Sequence, residues 1–133
     1  VSDLEASAED LRTRLDAAEA AAREAAEARV DALARKRGWR LITANYQVRG
    51  GELDRVYQGP DSVIVIEVRY RSRADYGTAA ASVTPDKQRR VILATRHLLA
   101  ERPRLASQPI RFDVVGVDAN DEIDWIENAF YAE

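Results

Sequence analysis

Hydrophobic positions change their period several times along the chain, and the changes mark its elements. Through residues 2–37 the positions Leu4, Ala8, Leu11, Leu15, Ala18, Ala22 and Ala25 recur at three- to four-residue spacing, with no Gly or Pro among them. That spacing predicts one long helix. Ser2 with Glu5 three residues on has capping-box spacing, and Gly38 follows the basic pair Lys36-Arg37, giving a start and a stop signal. Acid-first pairs four residues apart, Asp10/Arg14, Glu19/Arg23 and Asp31/Arg35, support the same helix. The seam is narrow and thins to alanine, so it suits close helix packing rather than a leucine coiled coil. A helix this long exceeds what a small core can cover. Its first half is expected to project, or to pack on a second subunit as a homodimer.

After Gly38 the pattern becomes that of strands: Trp39 to Val48, Glu52 to Gln58 and Val63 to Tyr70. Turns are expected at Arg49-Gly50-Gly51 and at Gly59-Pro60-Asp61-Ser62. The unbroken run Val63-Ile64-Val65-Ile66 marks a central strand covered on both faces. Residues 71–83 read as a loop, with small residues from Gly77 to Ser82. Thr84-Pro85-Asp86 carries a cap, a first-position proline and a first-turn acid, opening a helix to about Glu101. Ile110 to Val117 reads as a strand and Glu122 to Ile126 as a short edge strand. The order α-β-β-β-α-β-β predicts an α/β fold, a mixed central sheet flanked by helices with a long helix at its N-terminal end.

With 133 residues, 46% of them hydrophobic and 32% charged, the chain fits one ordinary globular domain. It has no cysteine, which excludes disulfides, thiolate zinc sites and cysteine nucleophiles. Its single histidine, His97, excludes a multi-histidine metal site, and its place among Leu93, Leu98 and Leu99 suggests a helix-surface or core-edge residue without a role. The longest apolar run, Val63 to Ile66, is too short to span a bilayer, so no membrane partner is expected. No signal-peptide pattern is visible, and a cytoplasmic protein is expected. The start at Val1 without any methionine suggests trimming. The net charge of −3 argues against a nucleic-acid partner, but it is unevenly placed. Residues 1–38 sum to −2, residues 39–104 to +5 and residues 105–133 to −6. A basic middle between acidic ends is compatible with a phosphate-binding face and equally with a mixed solvated surface.

Three residues stand out chemically. Asp54 sits among apolar strand positions, and Glu67 and Arg69 close the central strand two apart, hence on one face. Unpaired buried charge is costly, so these residues need partners. An internal ion pair between Glu67 and Arg69 is one answer, and spacing alone favours it. A divalent cation is the other, because two converging carboxylates suit Mg²⁺ or Mn²⁺ with waters left for a phosphate. A four-residue turn at 59–62 would set Asp54 opposite Glu67, and a one-residue slip would separate them.

The run Arg49-Gly-Gly-Glu-Leu-Asp54, then Val-Ile-Val-Ile-Glu67-Val-Arg-Tyr-Arg71, Tyr76-Gly-Thr-Ala-Ala-Ala-Ser-Val-Thr84, Lys87-Gln-Arg and Arg111-Phe-Asp-Val-Val115 resembles the YraN family. These are small bacterial proteins similar to Holliday junction resolvases, within the PD-(D/E)XK nuclease superfamily. The resemblance covers roughly residues 24–130 and implies a restriction-endonuclease-like core over residues 24–133. Residues 1–23 would then be a helical extension continuous with the next helix. It also implies that Asp54 and Glu67 are metal-binding acids and that Arg69 stands where a lysine is usual. Glu27 aligns with a glutamate on the family's first helix, although Ala26 replaces the usual glycine before it. Glu52 would be a further outer ligand. Arginine stays protonated in proteins, so Arg69 can hold a phosphate but cannot act as a general base. Lys87, at the start of the second helix, is the candidate substitute. Arg49, Arg71, Arg73, Lys87, Arg89 and Arg90 could follow a nucleic-acid backbone; Tyr70 and Tyr76 flank this region and could stack on bases, with packing under the sheet an equal reading for Tyr70. Trp39 and Trp125 read as core or core-rim residues.

The expected function is therefore a metal-dependent endonuclease-like protein acting on structured or single-stranded DNA. The alternatives are a nucleic-acid binding module with little cleavage, and a helix-mediated interaction protein.

Overall fold

A computed structural model describes residues 2–71 and 79–132, with Arg71 as backbone only. Helix α1 runs unbroken over Ser2–Lys36. Ser2 lies within the helix rather than before it as a cap. Gly38, at φ +80°, ends it in the left-handed region that glycine tolerates. Only Ala26, Val30 and Ala34 of α1 are buried, one apolar edge at four-residue spacing. Residues 2–21 are exposed throughout, and Leu4, Leu11 and Leu15 are 78%, 57% and 62% exposed. The first half of the helix therefore projects, as its length predicts.

Strands β1 (Arg40–Val48), β2 (Gly51–Gln58), β3 (Val63–Arg71), β4 (Ile110–Asp118) and β5 (Ile123–Phe130) form one sheet in the order β1-β2-β3-β4-β5. All neighbours are antiparallel except β3 and β4, which are parallel. The crossover between those two carries helix α2, Pro85–Glu101. Thr84 caps it, its side chain accepting the Lys87 N–H, with Pro85 at the first position where a missing donor costs nothing. The predicted element order is the observed one. The last strand is longer than its pattern suggests, running to Phe130 instead of ending near Ile126. A register shift between Phe112 and Val114 and a positive φ at Asn128 break the alternation there.

Side chains alternate across the sheet and build two cores. Leu53, Val56, Val63, Val65, Phe112 and Val114 face α2 and pack on Val91, Ala94 and Leu98. Tyr57, Ile64, Ile66, Val68, Val115 and Val117 face α1 and pack on Ala26, Val30 and Ala34. The run Val63–Ile66 is buried on both sides, as its composition predicts. Gly51 lets α2 approach β2 closely, since a Cβ there would collide with the Arg90 carbonyl oxygen. Among the described residues, no helix is long and apolar enough to cross a membrane.

Candidate functional site

Register decides whether Asp54 can meet Glu67. The turn Gly59–Ser62 closes with the Gly59 N–H donating to the Ser62 carbonyl at 2.9 Å, and the β2–β3 pairing runs from Gln58↔Val63 to Arg55↔Ile66. Continuing it by one step sets Asp54 opposite Glu67. Where the regular pairing ends, the Asp54 carboxylate accepts the Val68 N–H at 2.9 Å. The acid thus replaces a ladder bond and is held at the floor of the gap between the strands. Asn45, in the neighbouring part of β1, has φ +52°, a left-handed value that Asn adopts more readily than most residues. The local backbone there departs from regular sheet.

Glu67 is 4% exposed. Its carboxyl is raised from 4.5 to about 8, first by burial and then by the charge and hydrogen bond of Asp54 beside it. Lys87 Nζ, at 3.5 Å from Glu67 Oε1, and Arg69 Nη1, at 3.7 Å, work in the opposite direction. Both readings of the sequence thus have a basis: Glu67 has cationic partners, and it also shares its place with a second carboxyl group. Arg69 further donates from Nε to Ser82 Oγ at 3.2 Å.

A cavity of about 750 Å³ opens over this pair. Its walls come from three directions: Glu19, Arg23 and Glu27 of α1, Asn45 and Glu52 of the β1–β2 hairpin, and Arg69, Tyr70 and Lys87. Glu27 lines it but is engaged by Arg55, whose Nη1 donates to Glu27 Oε2 at 2.7 Å. Burial raises the Glu27 carboxyl; Arg55 opposes that shift, while Asp54 adds to it. Among the described residues, no three or more His, Cys, Asp or Glu side chains are gathered as a metal-holding group. Asp54 and Glu67 are a pair. Glu27 and Glu52 stand in the same cavity without joining them in such a group.

The other basic candidates divide. Arg49 lies exposed in the β1–β2 turn, while Arg89 and Arg90 are exposed on the first turns of α2 and pair with Asp86 at 3.1 and 2.6 Å. Arg73, Tyr76 and the side chain of Arg71 lie outside the described residues. His97 is exposed on α2. Trp39 and Trp125 sit at the rim of the α1-side core with ring centroids 5.7 Å apart, and the Arg37 guanidinium covers Trp125 at 4.2 Å.

Sequence reasoning missed Arg55. Its Nε donates to Asp31 Oδ1 at 2.9 Å, so it ties α1 to β2 through two acids at once. Asp31 also accepts from the Tyr57 hydroxyl, and is therefore turned inward rather than along the helix to Arg35. An arginine beside Asp54 points to the opposite face of the strand, towards α1; that alternation was the available signal. The buried Asp113 of the Arg111-Phe-Asp motif is structural. It accepts two bonds from Arg111, at 2.9 and 2.8 Å, one from Trp125 Nε1 at 2.9 Å and one from the Asn128 N–H at 3.1 Å.

Residues 26–117 match the model of a family described as "Uncharacterised protein family UPF0102". A UPF0102 protein of Cupriavidus taiwanensis is 47% identical over 109 residues, covering 81% of each chain. One from Saccharophagus degradans is 45% identical over 89 residues, 67% of this chain and 75% of its own. Another, from Pseudomonas entomophila, is 40% identical over 119 residues, 86% of this chain and 97% of its own. On this extent of agreement the chain belongs to the UPF0102 family, the YraN family.

Proposed function

We propose that this protein is a metal-dependent endonuclease-like protein acting on structured or single-stranded DNA. The observation that carries the reading is the Asp54–Glu67 pair at the end of the β2–β3 ladder, flanked by Lys87 and Arg69 inside one cavity. Two carboxyl groups pressed together in a mostly buried place raise the cost of ionising both, and a divalent cation relieves that cost. The donor set therefore fits Mg²⁺ or Mn²⁺, with Asp54 and Glu67 as the protein ligands and the remaining positions left to water and phosphate oxygen. A bound cation of this kind neutralises phosphate charge and makes water a stronger acid. The chain's own cations do the rest. Arg69 holds a phosphate oxygen through a guanidinium that does not deprotonate, and Lys87 supplies a second positive charge from the first turn of α2. The basic residues Arg49, Arg89 and Arg90 add affinity without sequence preference.

The test is incubation with branched and single-stranded DNA, with Mg²⁺ or Mn²⁺ and with chelator. Cutting that needs metal and disappears in Asp54→Ala supports the proposal. A second reading, a binding module that does not cleave, is favoured by Arg69 in the usual lysine position. Salt-sensitive DNA binding without cutting under either metal would select it. The exposed leucines of α1 add a proposed homodimer contact, checked by whether Leu11→Lys lowers the mass measured in sedimentation.

A further inference from the structure

The cavity above Asp54 and Glu67 does not end at those acids. A second cleft of about 390 Å³, lined in part by Gly50, Gly51 and Arg90, shares Glu52 and Lys87 with the first. Together they make a trough that passes the acid pair. One end is bounded by α1 and the other by α2, helices on opposite faces of the sheet. At the α1 end, Glu19, Arg23 and Glu27 recur every four residues and present one helix edge to the trough. Of the three only Arg23 is cationic. It is exposed and makes no ion pair with another described residue; Glu19, its acid-first neighbour on the helix, is not bonded to it. Residues 19 and 23 precede the family-matched segment, which begins at residue 26.

We infer that a nucleic-acid strand runs through this trough rather than ending in it, with Arg23 gripping a phosphate on the α1 side of the acid pair and Arg90 one on the α2 side. The inference rests on the nucleic-acid reading above and adds to it a contact supplied by the part of α1 that the family pattern does not include. Two cations on either side of a paired-acid floor match the charge pattern of a backbone whose middle phosphate meets the site and whose flanking phosphates need partners. The pairing of Arg90 with Asp86 is an exposed one, and such pairs yield easily to a phosphate.

Binding of a labelled single-stranded oligonucleotide to the full chain, by fluorescence anisotropy with Ca²⁺ and with chelator over a salt series, tests this without relying on cleavage. Arg23→Glu should weaken binding by about tenfold, and Arg23→Ala should flatten the salt dependence by about 0.7 in logarithmic slope. Arg12→Glu, an equal charge reversal on the projecting part of α1, should change affinity by less than about twofold. Circular dichroism should show the same helix content in all three variants, since neither arginine is buried. If Arg23→Glu binds like Arg12→Glu while the unaltered chain binds well, the strand path is wrong and the site reading stands. If the unaltered chain binds no single strand under any condition, the strand path is overturned, and the site reading then stands or falls on binding of branched DNA.

Discussion

Lys87 Nζ lies 3.5 Å from Glu67 Oε1, so a residue on the first turn of α2 and one on the central strand share a charge across the crossover that joins β3 to β4. Lys87 holds the Glu67 carboxyl down against burial and Asp54. Lys87→Met should therefore raise the Glu67 pKa further, visible in carboxyl-carbon NMR, and should weaken DNA binding at low salt. A Glu67 resonance that titrates unchanged in the variant would show that the contact does not persist in solution.

The elevated Glu67 carboxyl also fixes a pH dependence of stability. The folded form holds this proton more tightly than the unfolded form, so its contribution is fully present below about pH 4.5. It is lost as pH rises towards about 8, by about 1.4 kcal/mol per pH unit between those limits. Glu67→Gln should lose less stability than the unaltered chain between pH 5 and pH 8 in urea melts, and Mg²⁺ at pH 8 should raise the melting temperature of the unaltered chain alone. Parallel pH curves for the two proteins would contradict the assignment.

Gly51 offers a purely steric test. Gly51→Ala places a Cβ against the Arg90 carbonyl oxygen and 3.2 Å from Ala94 Cβ, which should cost about 1–3 kcal/mol. It should also push the start of α2, and Lys87 with it, away from Glu67. Urea unfolding gives the first effect and the Glu67 titration the second. A variant as stable as the parent would mean that α2 does not pack this tightly.

Asp113 should behave differently from the paired acids of the cavity. It is 1% exposed and fully engaged by Arg111, Trp125 and the Asn128 amide. Asp113→Ala strands a partly buried guanidinium and should cost about 3–5 kcal/mol. The fraction that stays folded should keep its metal response, measured as the Mg²⁺-dependent shift in melting temperature. Loss of that response in folded protein would place Asp113 in the site.

What the chain discloses before folding is local. The unbroken apolar run Val63–Ile66, the turn residues at Gly59–Ser62 and the cap at Thr84 all act over a few residues, and the first two fix the register that brings Asp54 to Glu67. Contacts made across the sheet are not written this way. Asp31 reads as a partner of Arg35 by helix spacing, yet it serves Arg55 and Tyr57, because the crossing of α1 over β2 decides which edge of the helix is inward. Glu27 shares that dependence. The length of β5 was hidden for another reason: the shift opposite Asp113 interrupts the period-two pattern by which strands are recognised.

Because α1 is one uninterrupted helix, the anchors Val30 and Ala34 set the direction in which every earlier residue points. Each residue advances the helix by about 100°. Replacing a side chain between Arg23 and Ala26 leaves that phase alone, whereas inserting or deleting a single residue there swings positions 19 and 23 away from the trough without disturbing a core contact. In this stretch, chain length is the constrained quantity and residue identity is comparatively free.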